Sequence, residues 1–434
     1  MPENNGSDVS IGIDAAVVAD HKVAIRGPGI REDFGVAPTL AGLARLTKRL
    51  SPYAGSLVIA EPTAGTWIPL AAAVADAGCE IAFVQSRHSA KLRQAIAGRS
   101  KTDVIDADML ARSTSVFDMR AAPPLDPVML GLRRLLTRRH KLTVAAHRVE
   151  CRLWSVASWG FPDVWRACGG HQVAQPLLRR WPHLGALARA RIGSITDVVA
   201  AHSRDRQPQR RAERIRAAAA GWVGFWEGRL DLDIVAWETT ELLDDIAAAD
   251  ERQHQATDKT LTQWRTHWPD DLLLTVSGVG PICAAATRAW WGDGTRLPSA
   301  KAAGAFVGLN PSNWESGLSE APSRPITKEG PPALRLAYYQ AANVARRRDP
   351  ALAAHYRKLR VERRHTHMQA NCAVARKLAA RTWAVLNTGQ PYQHRDLDGN
   401  RIDEADAVDL AESLAVPTDI QRRTRASRRG RLAS

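Results

Sequence analysis

An α/β N-terminal domain, a long helical middle and a mainly α C-terminal domain are predicted from three observations on the amino-acid sequence. Strand-like and helix-like runs alternate from Val9 to about Arg112, the pattern of a sheet flanked by helices. From Pro127 the apolar residues recur at three- and four-residue spacing over long stretches, the period of amphipathic helices. A further set of helical patterns surrounds a polar loop between Leu272 and about Tyr392. With 434 residues, two or three domains are expected. We place them at 9–125, 126–270 and 271–395, followed by a flexible basic tail at 396–434.

In order along the chain, SIGIDAAVVA and HKVAIR read as strands, TLAGLARLTKRL as a helix, SLVIAEP as a strand, WIPLAAAVADAG as a helix and EIAFVQ as a strand. HSAKLRQAIA and TDVIDADMLARS follow as helices. An initial antiparallel pair followed by this alternation predicts a mixed sheet. In the middle region, LGLRRLLTRRHKLTVAAHRVECRLWSVAS is one long helix, and a second is expected from Ala217 to about Trp268 with Leu230, Ile234, Trp237, Leu243 and Ile246 as its apolar stripe. Two such helices suggest an antiparallel arm or coiled coil, suited to holding protomers together. The stretch between them, Gly160 to Arg216, includes the basic run RDRQPQRRAERIR and receives no function from its sequence. The tail ends in QRRTRASRRGRLAS, too basic and too poor in apolar residues to fold alone.

Lys and Arg outnumber Asp and Glu by 60 to 45, a formal net charge of +15. That field attracts polyanions, so nucleic acid is the first partner to consider. No stretch approaches the roughly 20 apolar residues that span a bilayer, and MPENNGSDVS lacks the features of a signal peptide. A soluble, cytoplasmic protein is expected. Five scattered cysteines without a C-x-x-C pair indicate neither a disulfide framework nor a zinc site. His365 and His367 are read as solvated or phosphate-facing. The fourteen tryptophans are read as core residues first and base-stacking platforms second.

Four acids stand out. Asp14 ends the run IGID and Glu61 ends VIAE, so both carboxylates are expected at the rim of the sheet, converging if their strands are neighbours. Asp103 and Asp106 lie three residues apart in KTDVIDADMLAR, on one face of a helix. Asp108, two positions on, faces elsewhere. Each acid alone has an ordinary reading as a cap or turn residue. Gathered together they would repel one another unless cations sat among them. Hard divalent ions such as Mg2+ or Mn2+ take such oxygen ligands, and two of them about 3.5 to 4 Å apart can assist phosphodiester displacement.

The order ID, AEPTAGTW, KTDVIDADMLAR resembles the DEDD transposases of insertion sequences, a family that includes the Piv-like DNA invertases. Its N-terminal domain is similar to the Holliday-junction resolvase fold of the RNase H superfamily. In the second half, SGVGPICAAA, SAKAAGAFVGLNPSNWESG, ITKEGPPALRLAYYQAA and ARKLAARTWAVLNTGQPY resemble that family's C-terminal transposase domain. The resemblance implies an RNase H-like N-terminal domain and an enzyme that excises, inserts or inverts DNA by site-specific recombination. It implies Asp14, Glu61, Asp103 and Asp106 as the four metal-binding acids and Ser316, in WESG, as a serine that becomes joined to DNA. Ser312, in NPSN, is the rival serine. The resemblance further implies donor and target DNA as substrates, a structured noncoding guide (bridge) RNA, and homodimers assembling into a homotetramer. The setting it implies is a bacterial cytoplasm, associated with the nucleoid.

A serine hydroxyl is a weak nucleophile at neutral pH and needs a base or metal to activate it. The acids lie some two hundred residues upstream of Ser316, so a composite site closed from two domains is expected. Further phosphate contacts are expected at Gly278 and Gly280 in the GVGP turn, at Lys328 in ITKEG, and along Arg346, Arg347, Arg348, Arg357, Lys358, Arg360, Arg363 and Arg364, with a steep salt dependence. Two other readings remain open: a metal-dependent nuclease or junction resolvase with water as nucleophile, and a non-catalytic nucleic-acid binder.

Overall fold

A computed structural model describes residues 9–62, 65–84, 89, 103–113, 119, 121–311 and 325–420, with Asp103 and Val104 described in backbone only. The helix expected over HSAKLRQAIA, both candidate serines, and the last fourteen residues of the expected tail lie outside the described residues, Ser89 excepted. The chain divides into two compact units, Met1–Pro127 and Val128–Ser434.

The first unit is built on β1 (Ser10–Asp14), β2 (His21–Gly27), β3 (Ile30–Val36), α1 (Leu40–Leu50), β4 (Leu57–Ala60), α2 (Trp67–Asp76), β5 (Glu80–Phe83) and α3 (Asp103–Arg112). The strands form one mixed sheet in the order β3-β2-β1-β4-β5. β1, β2 and β3 pair antiparallel, while β4 and β5 continue parallel to β1. This mixed α/β architecture is consistent with an RNase H-like domain. Successive side chains on a strand point to opposite faces. Ile11, Ile13, Val58 and Ala60 therefore share one face, where they cluster with Leu46, Leu50, Leu70 and Val74 of α1 and α2. Ile59 and Ala82 pack with Leu110 of α3 on the other face, and Ala24 packs there with Ala107 and Ala111. The sequence reading missed β3. Its residues IREDFGV carry three consecutive charges, which only an edge strand tolerates, and β3 is at the sheet edge.

The second unit is helical among its described residues, apart from short bridges. Helices α4 (Pro127–Gly160) and α10 (Leu232–His267) run antiparallel. Arg139 Nε donates to the Thr257 hydroxyl at 2.9 Å, the Thr143 hydroxyl to Gln253 Oε1 at 3.2 Å, and Gln263 Nε2 to the Val128 carbonyl at 3.3 Å. At one end of this pair, α5 (Pro162–Cys168), α6 (His171–Arg180), α7 (Leu184–Arg189), α8 (Ile192–His202) and α9 (Pro208–Trp226) close a core of their own with Leu153, Leu177, Ile195, Ile215 and Ile246. The stretch 160–216, which receives no function from its sequence, is thus a folded helical insertion. At the other end, Leu132, Leu136 and Trp264 join a second core. It is formed with α11 (Pro281–Trp291), α12 (Ala300–Phe306), α13 (Pro332–Ala345), α14 (Pro350–Val361) and α15 (His367–Thr388).

Two expectations are corrected here. The helix expected over 217–268 is interrupted: α9 ends at Trp226, and α10 restarts where the Asp231 carboxylate accepts the Asp233 N–H at 2.9 Å, an N-cap. Its buried stripe is Val235, Thr239, Leu242, Leu243, Ile246 and Ala249, whereas Ile234 and Trp237 are 61% and 64% exposed. Residues 396–420, expected as part of a flexible tail, are folded instead. Glu404–Ser413 forms α16, which packs on α14 through buried Ala407 and Ala411, and Arg357 of α14 donates to the Ala415 carbonyl at 2.8 Å.

Candidate active site

Strand pairing brings the first two acids together. Ile13 of β1 is paired with Ala60 of β4 in parallel register, so the next residue on each strand, Asp14 and Glu61, stands at the same sheet edge. Alternation also fixes the face. Asp14 follows Gly12 by two residues, Glu61 follows Ile59 by two, and Gly12 and Ile59 both lie beneath α3. Both acids are half-buried, and the Glu61 carboxylate accepts the Ser89 hydroxyl.

Helix α3 delivers the second pair. It lies on the sheet so closely that a Cβ on Gly12 would stand 2.1 Å from the Ala107 carbonyl oxygen and 2.3 Å from the Ala111 nitrogen. Its C-terminal half is clamped to β2: Arg26 Nε donates to Asp108 at 2.5 Å and Arg26 Nη2 to Asp33 at 2.7 Å, while Arg112 bridges to the same Asp108 at 2.9 Å. Burial alone would lower the Arg26 pKa, but its hydrogen bonds to Asp33 and Asp108 raise it. Arg26 is paired with Ser10, at the start of β1. The helix therefore runs opposite to β1, and its first turn, with Asp103 and half-buried Asp106, points toward the end that bears Asp14 and Glu61. The Asp103 side chain lies outside the described residues, and among those described no group of three or more His, Cys, Asp or Glu is close enough to hold a metal ion. The donor chemistry of the described acids does suit a hard divalent cation: Asp14, Glu61 and Asp106 offer carboxylate oxygens from half-buried positions.

Nothing in the local pattern marks the clamp. Asp108 faces elsewhere on its helix, as its spacing predicts, and that direction is toward Arg26. An arginine closing the apolar strand HKVAIR was the available signal, since a cation entering a sheet asks for an acid from a neighbouring element.

In the second unit, the segment holding both candidate serines, 312–324, lies outside the described residues, but its two ends are described. Pro311 and Ile326 form an antiparallel bridge, Thr327 N donates to the Asn310 carbonyl at 2.9 Å, and Lys328 N to that of Gly308 at 3.1 Å. Gly330 approaches so closely that a Cβ there would stand 1.8 Å from the Phe306 carbonyl oxygen. Lys328 is exposed with φ 56°, a left-handed conformation that costs a non-glycine residue about 1–2 kcal/mol.

The expected basic stretch does not form one exposed face. Arg360 is buried and donates to the His365 carbonyl. Arg346 lies 4.4 Å from the Tyr356 ring centroid and bonds Asn343 at 3.1 Å, Arg348 pairs with Glu404 at 2.8 Å, and Arg357 is held at Ala415. Arg347, Lys358, Arg363 and Arg364 are exposed, without an acidic partner among the described residues. Burial, with Lys377, Arg376, Arg363 and Lys358 around it, lowers the His355 pKa to about 4. His367, one of the two histidines read as solvated, is half-buried with Nδ1 2.7 Å from the Tyr356 hydroxyl. In the GVGP turn, Gly280 is the N-cap of α11. Gly278 has φ +86°, and a Cβ on it would be 2.6 Å from the Ala341 oxygen and the Ala345 nitrogen of α13. Packing alone accounts for that glycine.

Residues 11–162 match the DEDD transposase family of IS110 type, described as "Transposase", and residues 270–357 match the "Transposase IS116/IS110/IS902 family". The chain is 25% identical over 395 residues to the insertion element IS110 uncharacterized 43.6 kDa protein of Streptomyces coelicolor, covering 89% of this chain and 96% of that one. It is 31% identical over 135 residues to the transposase for insertion sequence element IS1328 of Yersinia enterocolitica, covering 30% of this chain and 40% of that one. DEDD transposase domains are typically metal-dependent, and among the described residues no helix is long and apolar enough to cross a membrane. Matched in order in both halves, and similar along most of its length to an IS110 protein, the chain is a transposase of the IS110 family of insertion sequences, an enzyme that cleaves and transfers DNA.

Proposed function

We propose that this transposase cuts and rejoins DNA through a serine–DNA intermediate, with Mg2+ (or Mn2+) held by Asp14, Glu61, Asp103 and Asp106 and with Ser316 as the nucleophile. The observation that carries the metal-site reading is the shared edge of β1 and β4, capped by Asp14 and Glu61 on the face toward which the first turn of α3 is aimed. The Ser316 hydroxyl gives its proton to water as its oxygen attacks the scissile phosphorus, the bond to the departing sugar oxygen breaks, and that oxygen takes a proton from water and leaves as a hydroxyl. The strand is then held as a phosphoserine ester, and an incoming sugar hydroxyl reverses the step and releases the serine. The metal when bound supplies charge neutralisation at the phosphate and lowers the cost of forming the attacking alkoxide. Lys328, exposed just beyond the serine segment, offers a cation to the transferring phosphate. The exposed residues among Arg347, Lys358, Arg363 and Arg364 hold backbone phosphates.

The partners in this reading are donor DNA, target DNA and a guide RNA, with dimers assembling into a tetramer. The +15 charge suits the polyanions. Exposed Trp154, Trp159 and Trp237 along the antiparallel helices offer apolar surface for a second copy, in keeping with a helical arm or coiled coil that joins protomers.

The test is strand cleavage on DNA carrying the element's ends. Ser316→Ala and Asp106→Ala should each abolish it, and denaturing gels of the wild type should show protein covalently attached to DNA. Cleavage surviving Ser316→Ala but not Asp106→Ala would favour a water-using nuclease. Tight DNA binding in EDTA with no cleavage by the wild type would favour a binder.

A further inference from the structure

The helical insertion lies between the two matched regions, 11–162 and 270–357. From Phe161 to Trp226 it contains 11 arginines against four acids, a net +7 of the chain's +15, in less than a sixth of its length. Local pairing uses up little of that charge. Arg166 pairs with Asp163, Arg179 with Asp244 and Arg211 with Asp205.

The third pair builds the surface. Arg211 Nε donates to the Ala167 carbonyl at 3.0 Å, one Arg211 terminal nitrogen to the Cys168 carbonyl, and the other to Asp205 at 3.2 Å. Asp205 also accepts the Gln207 N–H at 3.0 Å, and that bond, aided by Arg211, lowers its pKa. The turn from α8 into α9 is thereby tied to α5, and its acid is bound to Arg211. Ala212, Ile215 and Ala219 bury the inner face of α9. Arg204, Arg206, Arg210 and Arg214 are left exposed with no acidic partner among the described residues. Arg210 and Arg214 are one turn apart on the same helix face, and Arg204 and Arg206 stand on the turn that leads into it.

We propose that Arg204, Arg206, Arg210 and Arg214 form an accessory grip on the phosphodiester backbone of duplex DNA, outside the two matched domains. Exposed guanidiniums without an acidic partner among the described residues suit phosphate oxygens. The insertion's exposed large apolar aromatic, Phe225, is at the far end of α9. Among the described residues the corner thus carries no exposed Trp, Tyr or Phe of the kind on which single-stranded nucleic acid stacks, and its four cations suit contact with backbone more than reading of bases. This inference rests on the chain's action on DNA and is independent of Ser316 and the four acids.

The test is a salt titration of duplex binding by the full-length protein in EDTA, where cleavage plays no part. Each phosphate contact contributes about 0.9 to the slope of log affinity against log salt. Replacing all four arginines by Gln should therefore lower the slope by about 3 to 4, so that a fourfold rise in salt costs the variant roughly 100-fold less affinity than it costs the wild type. Replacing all four by Lys should keep most of the slope. All of these positions are exposed, and a circular dichroism melt like the wild type's is expected for both variants. An unchanged slope in the Gln variant overturns the proposal. So does a loss of slope seen with duplex RNA but not with duplex DNA. Asp106→Ala should abolish cleavage while leaving the slope intact, which separates failure of this grip from failure of the active-site reading.

Discussion

Substituting Gly12 by Ala should disable the enzyme from the far side of its acids. A Cβ at this position would be 2.1 Å from the Ala107 oxygen, 2.3 Å from the Ala111 nitrogen and 3.0 Å from the Leu110 carbonyl carbon. All three are backbone atoms of α3, so no side-chain rotation relieves the overlap. Ordinary contact needs about 3.5 Å, which forces the helix outward by about 1 Å or more. Overpacking of this kind costs about 1–3 kcal/mol, and misplacing catalytic groups by about 1 Å costs on the order of 100-fold in rate. Because α3 carries Asp103 and Asp106, the displacement falls on the proposed metal ligands. The assay is cleavage in a buffer containing Mg2+ at saturating DNA, alongside a thermal melt and DNA binding in EDTA. We expect a cleavage loss near 100-fold, a lower Tm and unchanged binding. A variant that cleaves within twofold of wild type at an unchanged Tm would refute the reasoning that α3 is positioned by this contact.

Further outcomes follow from the same packing. Arg26→Met leaves Asp108 and Asp33 without their shared cation and should destabilise by about 1–3 kcal/mol; Asp108→Asn should reduce that loss in the double variant, and strictly additive melts would show that the two do not act as a pair. Gly278→Ala combines a left-handed backbone with the overlap on α13 and should cost about 2–4 kcal/mol, with an unaltered salt slope; a reduced slope in a protein of normal Tm would restore a phosphate-binding role. Asp349 is nearly buried, and although burial would raise its pKa, Arg381 and the Tyr392 hydroxyl at 2.6 Å hold it below the usual carboxylate range. Asp349→Asn should then cost about 3–5 kcal/mol, measured by urea denaturation at neutral pH. His355 binds its proton more weakly folded, with a pKa of about 4, than unfolded at about 6.5. Between those values the unfolded chain holds more protons, so stability should rise with pH from about 4 to 6.5. His355→Gln should flatten that rise in Tm, and an unchanged profile would exclude this histidine as its source.

Where local pattern and tertiary packing agree, the fold was legible beforehand. IGID and VIAE are short apolar strands that end in acids, which is enough to expect both carboxylates at the sheet rim; their convergence depends on the strands being neighbours, and the parallel register Ile13–Ala60 meets that condition. IREDFGV escaped because its charges oppose the strand pattern, and only its place at the sheet edge makes them tolerable. Trp237 and Ile234 were read as a core stripe because they are apolar at helical spacing, yet the helix turns Val235 and Thr239 inward instead. Periodicity specifies that a stripe exists but fixes its phase poorly when apolar residues occupy two faces. Arg360 looked like its neighbours in a basic run, and its burial follows from α14 packing against α15. No local signal encodes that contact.

The bridge between Pro311 and Ile326, backed by the close approach of Gly330 to the Phe306 carbonyl, holds two chain ends beside each other independently of what joins them. For the helices around it, this closure is a fixed base built from residues on either side of the segment. Grafting the corresponding stretch from a related insertion element should therefore leave melting behaviour almost untouched while transplanting the donor element's reactivity.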